Sequence, residues 1–235
     1  HMAYCDSSGY PTYVVNYTTG TLGAGSVSWG DHYTVASGDV DTPSVTLDTD
    51  GYPWVVYRHG NNGNVTKATA TDGSGWGTPT RLWSGSESDL SIVLCKQSSG
   101  KVYAVYRKGE SYSLFGRLYN GTAWESEETV MSGTTVYSRY NSYSAVVDDN
   151  WFIHVASIHD VTNDQIYYVW YNSTSKNWSN KEDLTPTGHH NIGGLTINAT
   201  SQNLYLWYHR SNTIYCRKRV SGSWQSETTA WERSS

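Results

Sequence analysis

Phenylalanine is nearly missing from this chain, with two in 235 residues, and methionine (two), cysteine (three) and proline (five) are scarce as well. Basic residues are also few: 16 lysines and arginines stand against 21 acids, a net charge of −5. Such a surface has no basic field to draw a phosphate backbone, so nucleic acid is not an expected partner. No apolar run reaches the length of a membrane span, so no membrane insertion is expected. Cys5, Cys95 and Cys216 show neither metal nor redox spacing, and their odd number allows at most one intrachain disulfide. Cys95, in the apolar run from Leu90, reads as a small core residue. No cofactor is implied. Nothing in the pattern fixes the oligomeric state.

What is there is aromatic and turn-rich: 20 Tyr, 11 Trp and 22 Gly, with abundant Ser and Thr. Short aromatic and β-branched runs between turn residues predict an all-β protein, and no stretch carries a helix signature. Six Asn-x-Ser/Thr sequons, at Asn16, Asn64, Asn120, Asn172, Asn177 and Asn198, join a lysine-poor composition in pointing to an extracellular or cell-surface location. His1-Met2 is expected to be a tag remnant.

The chain repeats itself. Gly51-Tyr52-Pro53-Trp54-Val55-Val56-Tyr57-Arg58 recurs as Gly100-Lys101-Val102-Tyr103-Ala104-Val105-Tyr106-Arg107, and more loosely as Asn203-Leu204-Tyr205-Leu206-Trp207-Tyr208-His209-Arg210. Taking the turn residue as a ruler gives Gly9, Gly51, Gly100, Asn150 and Asn203, with gaps of 42, 49, 50 and 53 residues. Gly and Asn accept the positive φ of tight hairpins, which explains the alternation. Each motif is followed by a third strand, then a turn with a tryptophan (Trp76, Trp124, Trp178, Trp224, and Trp29 in the first copy), then a more polar fourth strand. Units of about 45 residues that cannot bury their faces alone predict a β-propeller of five four-stranded blades. The expected domain is 3–235, with blades near 3–40, 41–86, 87–134, 135–190 and 191–235. Two ways of completing it stay open: five blades closing directly, or a segment of a larger propeller.

The turn Ala70-Thr71-Asp72-Gly73-Ser74-Gly75-Trp76 is similar to a degenerate Asp-box, Ser-x-Asp-x-Gly-x-Thr-Trp, of the sialidase-like (BNR-repeat) propellers. The Gly-turn strand ending in Tyr-Arg resembles that family too. The resemblance implies a structural role for these turns and a ligand face built from second-to-third-strand loops and inter-blade connections. On this chain that face would carry Arg58, His59, Arg107, Arg139, Tyr140, His189, His190, His209 and Arg210. It would also carry Lys108, His159, Asp160, Asp39, Asp41, Glu87, Asp89, Asn141, Tyr143 and Asn191. Three readings of it stay open. Aromatics and hydrogen-bonding side chains on preformed loops suit a lectin-like carbohydrate site, acidic glycans included, without catalysis. His189, His190, Tyr140 and an arginine would suit a polysaccharide lyase or glycoside hydrolase acting on acidic polysaccharide, with imidazole as base and tyrosine as acid. A sialidase would need a three-arginine clamp and a glutamate activating a tyrosine, and no such glutamate is evident. The third reading is a protein-interaction scaffold.

Overall fold

The structure is a computed structural model that describes residues 1–7, 12–84, 91–107, 113–133, 143–159, 165–185 and 190–232. Among the described residues the regular elements are all strands, and no helix is long and apolar enough to cross a membrane. They form five successive sheets whose strands follow one another in chain order. The first holds β1 (Met2–Asp6), β2 (Tyr13–Gly23) and β3 (Ser26–Gly38); the second holds β4 (Val40–Leu47), β5 (Pro53–His59), β6 (Asn62–Lys67) and β7 (Thr80–Ser84). The third holds β8 (Ser91–Lys96), β9 (Val102–Arg107), β10 (Ser113–Tyr119) and β11 (Glu128–Ser132). In the fourth, β12 (Tyr143–Val147), β13 (Ile153–His159) and β14 (Gln165–Asn172) are closed by two short pieces on β14, β15 (Asn177–Trp178) and β16 (Glu182–Asp183). The fifth repeats this with β17 (His190–Ile197), β18 (Leu204–Arg210), β19 (Thr213–Val220), β20 (Ser223–Trp224) and β21 (Thr228–Glu232). These are the blades of a β-propeller.

Blade 1 departs from the four-stranded expectation. Among the described residues it has three strands, and Trp29 lies within β3 opposite Gly20 rather than on a closing turn. The side of Gly20 is filled by Val27 and Trp29, whose atoms lie 2.7 and 3.0 Å from where a Cβ would stand. Trp29 itself is half exposed.

Two compact units can be separated along the chain. Unit 1 comprises residues 1–109 and 116–128, and unit 2 comprises 110–115 and 129–235. Unit 1 has a core of Val15, Tyr17, Val40, Val55 and Tyr57, against which Trp76 and Tyr33 pack. Unit 2 has a core built from Ala156, Ile158, Ile166, Tyr168, Leu184, Leu206 and Tyr208 with their neighbours. The second strands β5 and β9 are buried along almost their whole length, on both faces, which is why they read as continuous apolar runs. Third strands such as β10 alternate instead. All three cysteines are free, and burial pushes the Cys95 thiol up to about 12.

The turn register differs from the ruler in two blades. The Asp48 N–H donates to the Tyr52 carbonyl at 3.0 Å, and Gly51 between them, whose N–H donates to the Asp48 carbonyl, has φ +84°. The equivalent left-handed residue in blade 3 is Gly100, but in blade 4 it is Trp151 (φ +66°) and in blade 5 Gln202 (φ +55°). Side-chain acceptors hold these turns, as Asp48 Oδ1 holds that of blade 2. Asp148 Oδ1 accepts the N–H groups of Asn150 and Phe152 at 2.9 and 2.8 Å, and Asn198 Oδ1 accepts those of Thr200 and Ser201. An acceptor that pins the turn from its first residue lets a bulky side chain stand at positive φ, a place that otherwise favours Gly. Asn150 and Asn203 are therefore each one residue from the true equivalent of Gly51.

Candidate functional site

That one-residue shift changes the arginine pattern. Around their hairpins, His59 faces Asn62 and Arg210 faces Thr213, so Arg210 corresponds to His59, and His209 to Arg58. The three arginines do not occupy one repeated place, as the sequence alignment implied. Arg58 sits opposite Asp41 and is held by it in a bidentate pair, Nε to Oδ1 at 2.6 Å and Nη2 to Oδ2. Arg107, at 1% exposure, is buried rather than displayed. Arg210 donates to Glu227 Oε1 at 2.8 Å and lies over the Tyr215 ring at 4.3 Å. His59 and His209 are exposed. His190 begins β17, opposite Arg210 in register. Arg139, Tyr140 and His189 lie outside the described residues, as do Lys108, Asp160, Glu87, Asp89 and Asn141. Among the described residues no group of three His, Cys, Asp or Glu side chains could hold a metal ion.

Glutamates facing tyrosines do exist, contrary to the reading from sequence. The Tyr106 hydroxyl donates to Glu127 Oε2 at 2.7 Å, and the Tyr208 hydroxyl donates to Glu227 Oε2. Both glutamates stand three residues after a turn tryptophan, Trp124 and Trp224, a spacing that could have revealed them. Burial first, and then the facing carboxylate, push both tyrosine hydroxyls well above their ordinary range. Both side chains are essentially inaccessible. A nucleophilic tyrosine needs the opposite shift and an open approach, so these pairs serve as buried donors. Burial works to raise the Glu227 carboxyl, but bonds from Tyr208 and Arg210 and the charges of Arg210 and Arg217 outweigh it, and the net shift is downward.

Two grooves, one in each unit and each between neighbouring blades, were not among the expectations from sequence. The groove between blades 2 and 3, about 510 Å³, is lined by Trp54, Lys67, Thr78, Tyr119, Thr122 and Trp124, among others. That between blades 4 and 5, about 440 Å³, is lined by Phe152, His154, Trp170, Asn203, Arg219 and Gly222, among others. The two are built on equivalent positions. Trp54 pairs with Lys67 across strands as His154 pairs with Trp170, and Tyr119 bridges to Trp124 as Arg219 pairs with Trp224. An arginine fastens each pair of blades. Arg117 donates from Nε to Glu125 O of its own blade and from Nη1 to Leu82 O of blade 2, both at 2.8 Å. Arg217 does the same, to Gln225 O at 2.9 Å and to Leu184 O of blade 4.

The acid at the head of each groove is spent locally. Asp48 Oδ1 accepts the N–H groups of Asp50 and Tyr52, while Oδ2 takes Trp54 Nε1 at 3.1 Å and the Lys67 ammonium at 2.8 Å. Burial alone would raise its carboxyl; bonds from Lys67, Trp54 and Tyr52 together hold it below the usual range. Lys67 also lies 4.7 Å over the Tyr52 ring, and Trp54 packs on Tyr119 at 4.8 Å. In the other groove Asp148 Oδ2 lies 3.3 Å from His154 Nε2, and His154 Nδ1 lies 2.6 Å from the Tyr168 hydroxyl. Burial again opposes, but bonds from His154 and the backbone N–H groups of Phe152 and Asn150 keep the Asp148 carboxyl low. Arg219 stands 5.1 Å over the Tyr168 ring.

No protein-family model and no characterised protein matches the sequence. Solved structures do match in fold. The BP39L lectin of Burkholderia pseudomallei superposes with a TM-score of 0.67 at 9% identity, over 93% of this chain and 66% of the lectin. The fungal Aleuria aurantia lectin, a six-bladed propeller with a fucose recognition mode, gives 0.60 at 12% identity, over 98% of this chain and 78% of the lectin. A leech intramolecular trans-sialidase gives 0.63 at 14% identity, over 90% of this chain and 37% of that enzyme. The chain thus spans about two-thirds of the first lectin and little more than a third of the trans-sialidase. At these identities the likeness is one of fold: the propeller architecture shared by these lectins and sialidases.

Proposed function

We propose that this protein is a carbohydrate-binding β-propeller, working outside the cell or at its surface, that takes sugar units into the grooves between neighbouring blades. The observation that carries this reading is the pair of equivalent grooves, each of ligand size and each combining aromatic rings with fixed polar groups. Aromatic faces receive the apolar face of a pyranose, and polar groups around them read hydroxyls. The likeness to a fucose-recognising lectin supports it. On this reading the Ala70–Trp76 turn is a degenerate Asp-box of purely structural use: Asp72 accepts the Ser74 N–H, and Trp76 packs edge-on against Tyr17. Of the described residues expected on the loop face, His59 and His209 are exposed, as are Asp39 and Asn191, whereas Arg58 and Arg210 are committed to acids and Arg107 is buried. Binding is favoured over cleavage because Tyr106 and Tyr208, the tyrosines that face glutamates, are inaccessible and their hydroxyls hard to ionise.

A broad glycan array probed with the full chain tests this. Binding to at least one glycan class is expected, weakened about tenfold by Trp170→Ala or Tyr119→Ala. A folded chain that binds no glycan would sink the proposal, and so would a release of unsaturated or reducing ends from a bound polymer where binding alone is proposed.

A further inference from the structure

The two grooves share a frame but not a charge. We propose that the groove between blades 4 and 5 takes a sugar unit bearing an oxyanion, a carboxylate or a sulfate, with Arg219 as its counter-charge. This rests on the sugar-binding reading above. Among the described residues no carboxylate lies within ion-pair distance of Arg219, and its buried Nε has no hydrogen-bond partner. The guanidinium lines the groove as a permanent cation with no acid beside it, a charge left for a ligand anion to meet. An oxyanion on a ligand in the groove pairs with that guanidinium, whose planar fork suits a two-oxygen group.

The groove's own acid does not compete. Both oxygens of Asp148 are taken, Oδ1 by two backbone N–H groups and Oδ2 by His154. The sugar ring has a floor as well, since Phe152 and Trp170 lie 5.4 Å apart in a tilted pair on the groove wall. The rim is open at Gly222, where no atom lies within 4 Å of a would-be Cβ. In the groove between blades 2 and 3 nothing comparable is left over. Its ammonium, Lys67, is neutralised by Asp48 at 2.8 Å, the place of Arg219 is held by uncharged Tyr119, and Arg117 is spent on main-chain carbonyls.

The test compares glycans in matched pairs that differ only in the acid: uronic-acid glycans against their carboxyl-reduced forms, and sulfated glycans against their desulfated forms. Wild-type protein, Arg219→Gln and Arg219→Lys are titrated with each, and thermal melts confirm folding. The acidic member is expected to bind roughly 10- to 100-fold tighter, and R219Q to erase that preference. R219K should retain part of it, and added salt should weaken only the acidic member. The carboxylate and sulfate arms tell which oxyanion is preferred, and a preference in either supports the inference. Neutral glycans bound as well as acidic ones, or a preference that survives R219Q, would overturn this inference and leave the sugar-binding reading standing. Binding to no glycan of any kind would overturn both.

Discussion

The groove between blades 2 and 3 and the groove between blades 4 and 5 are built from matching positions and lined by different chemistry. Each has an acid pinning a hairpin, a second-strand ring bonded to that acid, a facing third-strand side chain, and a strand and tryptophan from the next blade. Around the first groove these are Asp48, which stands behind the wall, and Trp54, Lys67 and Tyr119, which line it; in the second, Asp148, His154, Trp170 and Arg219 all line it. What stays constant is what the backbone needs: a carboxylate for turn N–H groups and an arginine for carbonyls of two blades. What varies faces the open space. A repeat protein can thus hold one frame and change its recognition groove by groove, with the frame indifferent to the charge that lines it.

The frame itself gives the largest expected effect. Removing Arg117 or Arg217 leaves carbonyls of two neighbouring blades without donors, so Arg117→Ala and Arg217→Ala should each cost roughly 2–4 kcal/mol. The two costs should be similar. Thermal or denaturant melts check this, and a loss below about 0.5 kcal/mol at either site would break the equivalence of the two grooves.

The blade repeat was legible in the sequence because Gly51 and Gly100, the tryptophan turns and the apolar second strands are all local features. The register was not, because it depends on where Asp148 and Asn198 direct their side chains. Those acceptors allow Trp151 and Gln202 at positive φ, and the alignment of Arg210 slipped by one as a result. The grooves were hidden for a different reason: Lys67 and Tyr119 belong to different blades, and no local pattern joins them. A partial signal was present, since Arg117 and Arg217 each stand seven residues before a turn tryptophan, as Glu127 and Glu227 each stand three after. The loop face that family resemblance favoured falls partly outside the described residues, while Arg58 and Arg210 on it proved to be tied to acids.

Acid pH should separate the grooves next. Both Asp48 and Asp148 have carboxyls held low in the folded state. A depressed folded pKa means stability fully present above the unfolded value and lost as pH falls through the folded one. Both contributions should therefore fade from about pH 4 downward. Asp48→Asn and Asp148→Asn should each flatten that limb of the stability–pH curve and cost on the order of 1–3 kcal/mol at pH 7. Asp48→Asn should cost more, because its carboxylate is fully buried and bonded to a charged ammonium, whereas that of Asp148 is 13% exposed and bonded to an imidazole. Equal pH profiles for the wild type and both variants would remove the carboxylates from the frame.

The smallest effects should come from the cations, and they should differ in sign of importance. Lys67 is 38% exposed, yet it neutralises a buried carboxylate and lies over two rings, so Lys67→Gln should cost about 1 kcal/mol. Arg219 has a ring beneath it and no acid beside it, so Arg219→Gln trades a cation–π contact for relief of an unsatisfied N–H. Those terms oppose each other, and the melt of Arg219→Gln should stay within about 0.5 kcal/mol of wild type. A residue that costs nothing to remove from the fold but sets the charge of a groove is one held for a ligand. If Arg219→Gln destabilises the chain as much as Arg217→Ala does, Arg219 belongs to the frame instead, and the contrast between the two grooves reduces to packing.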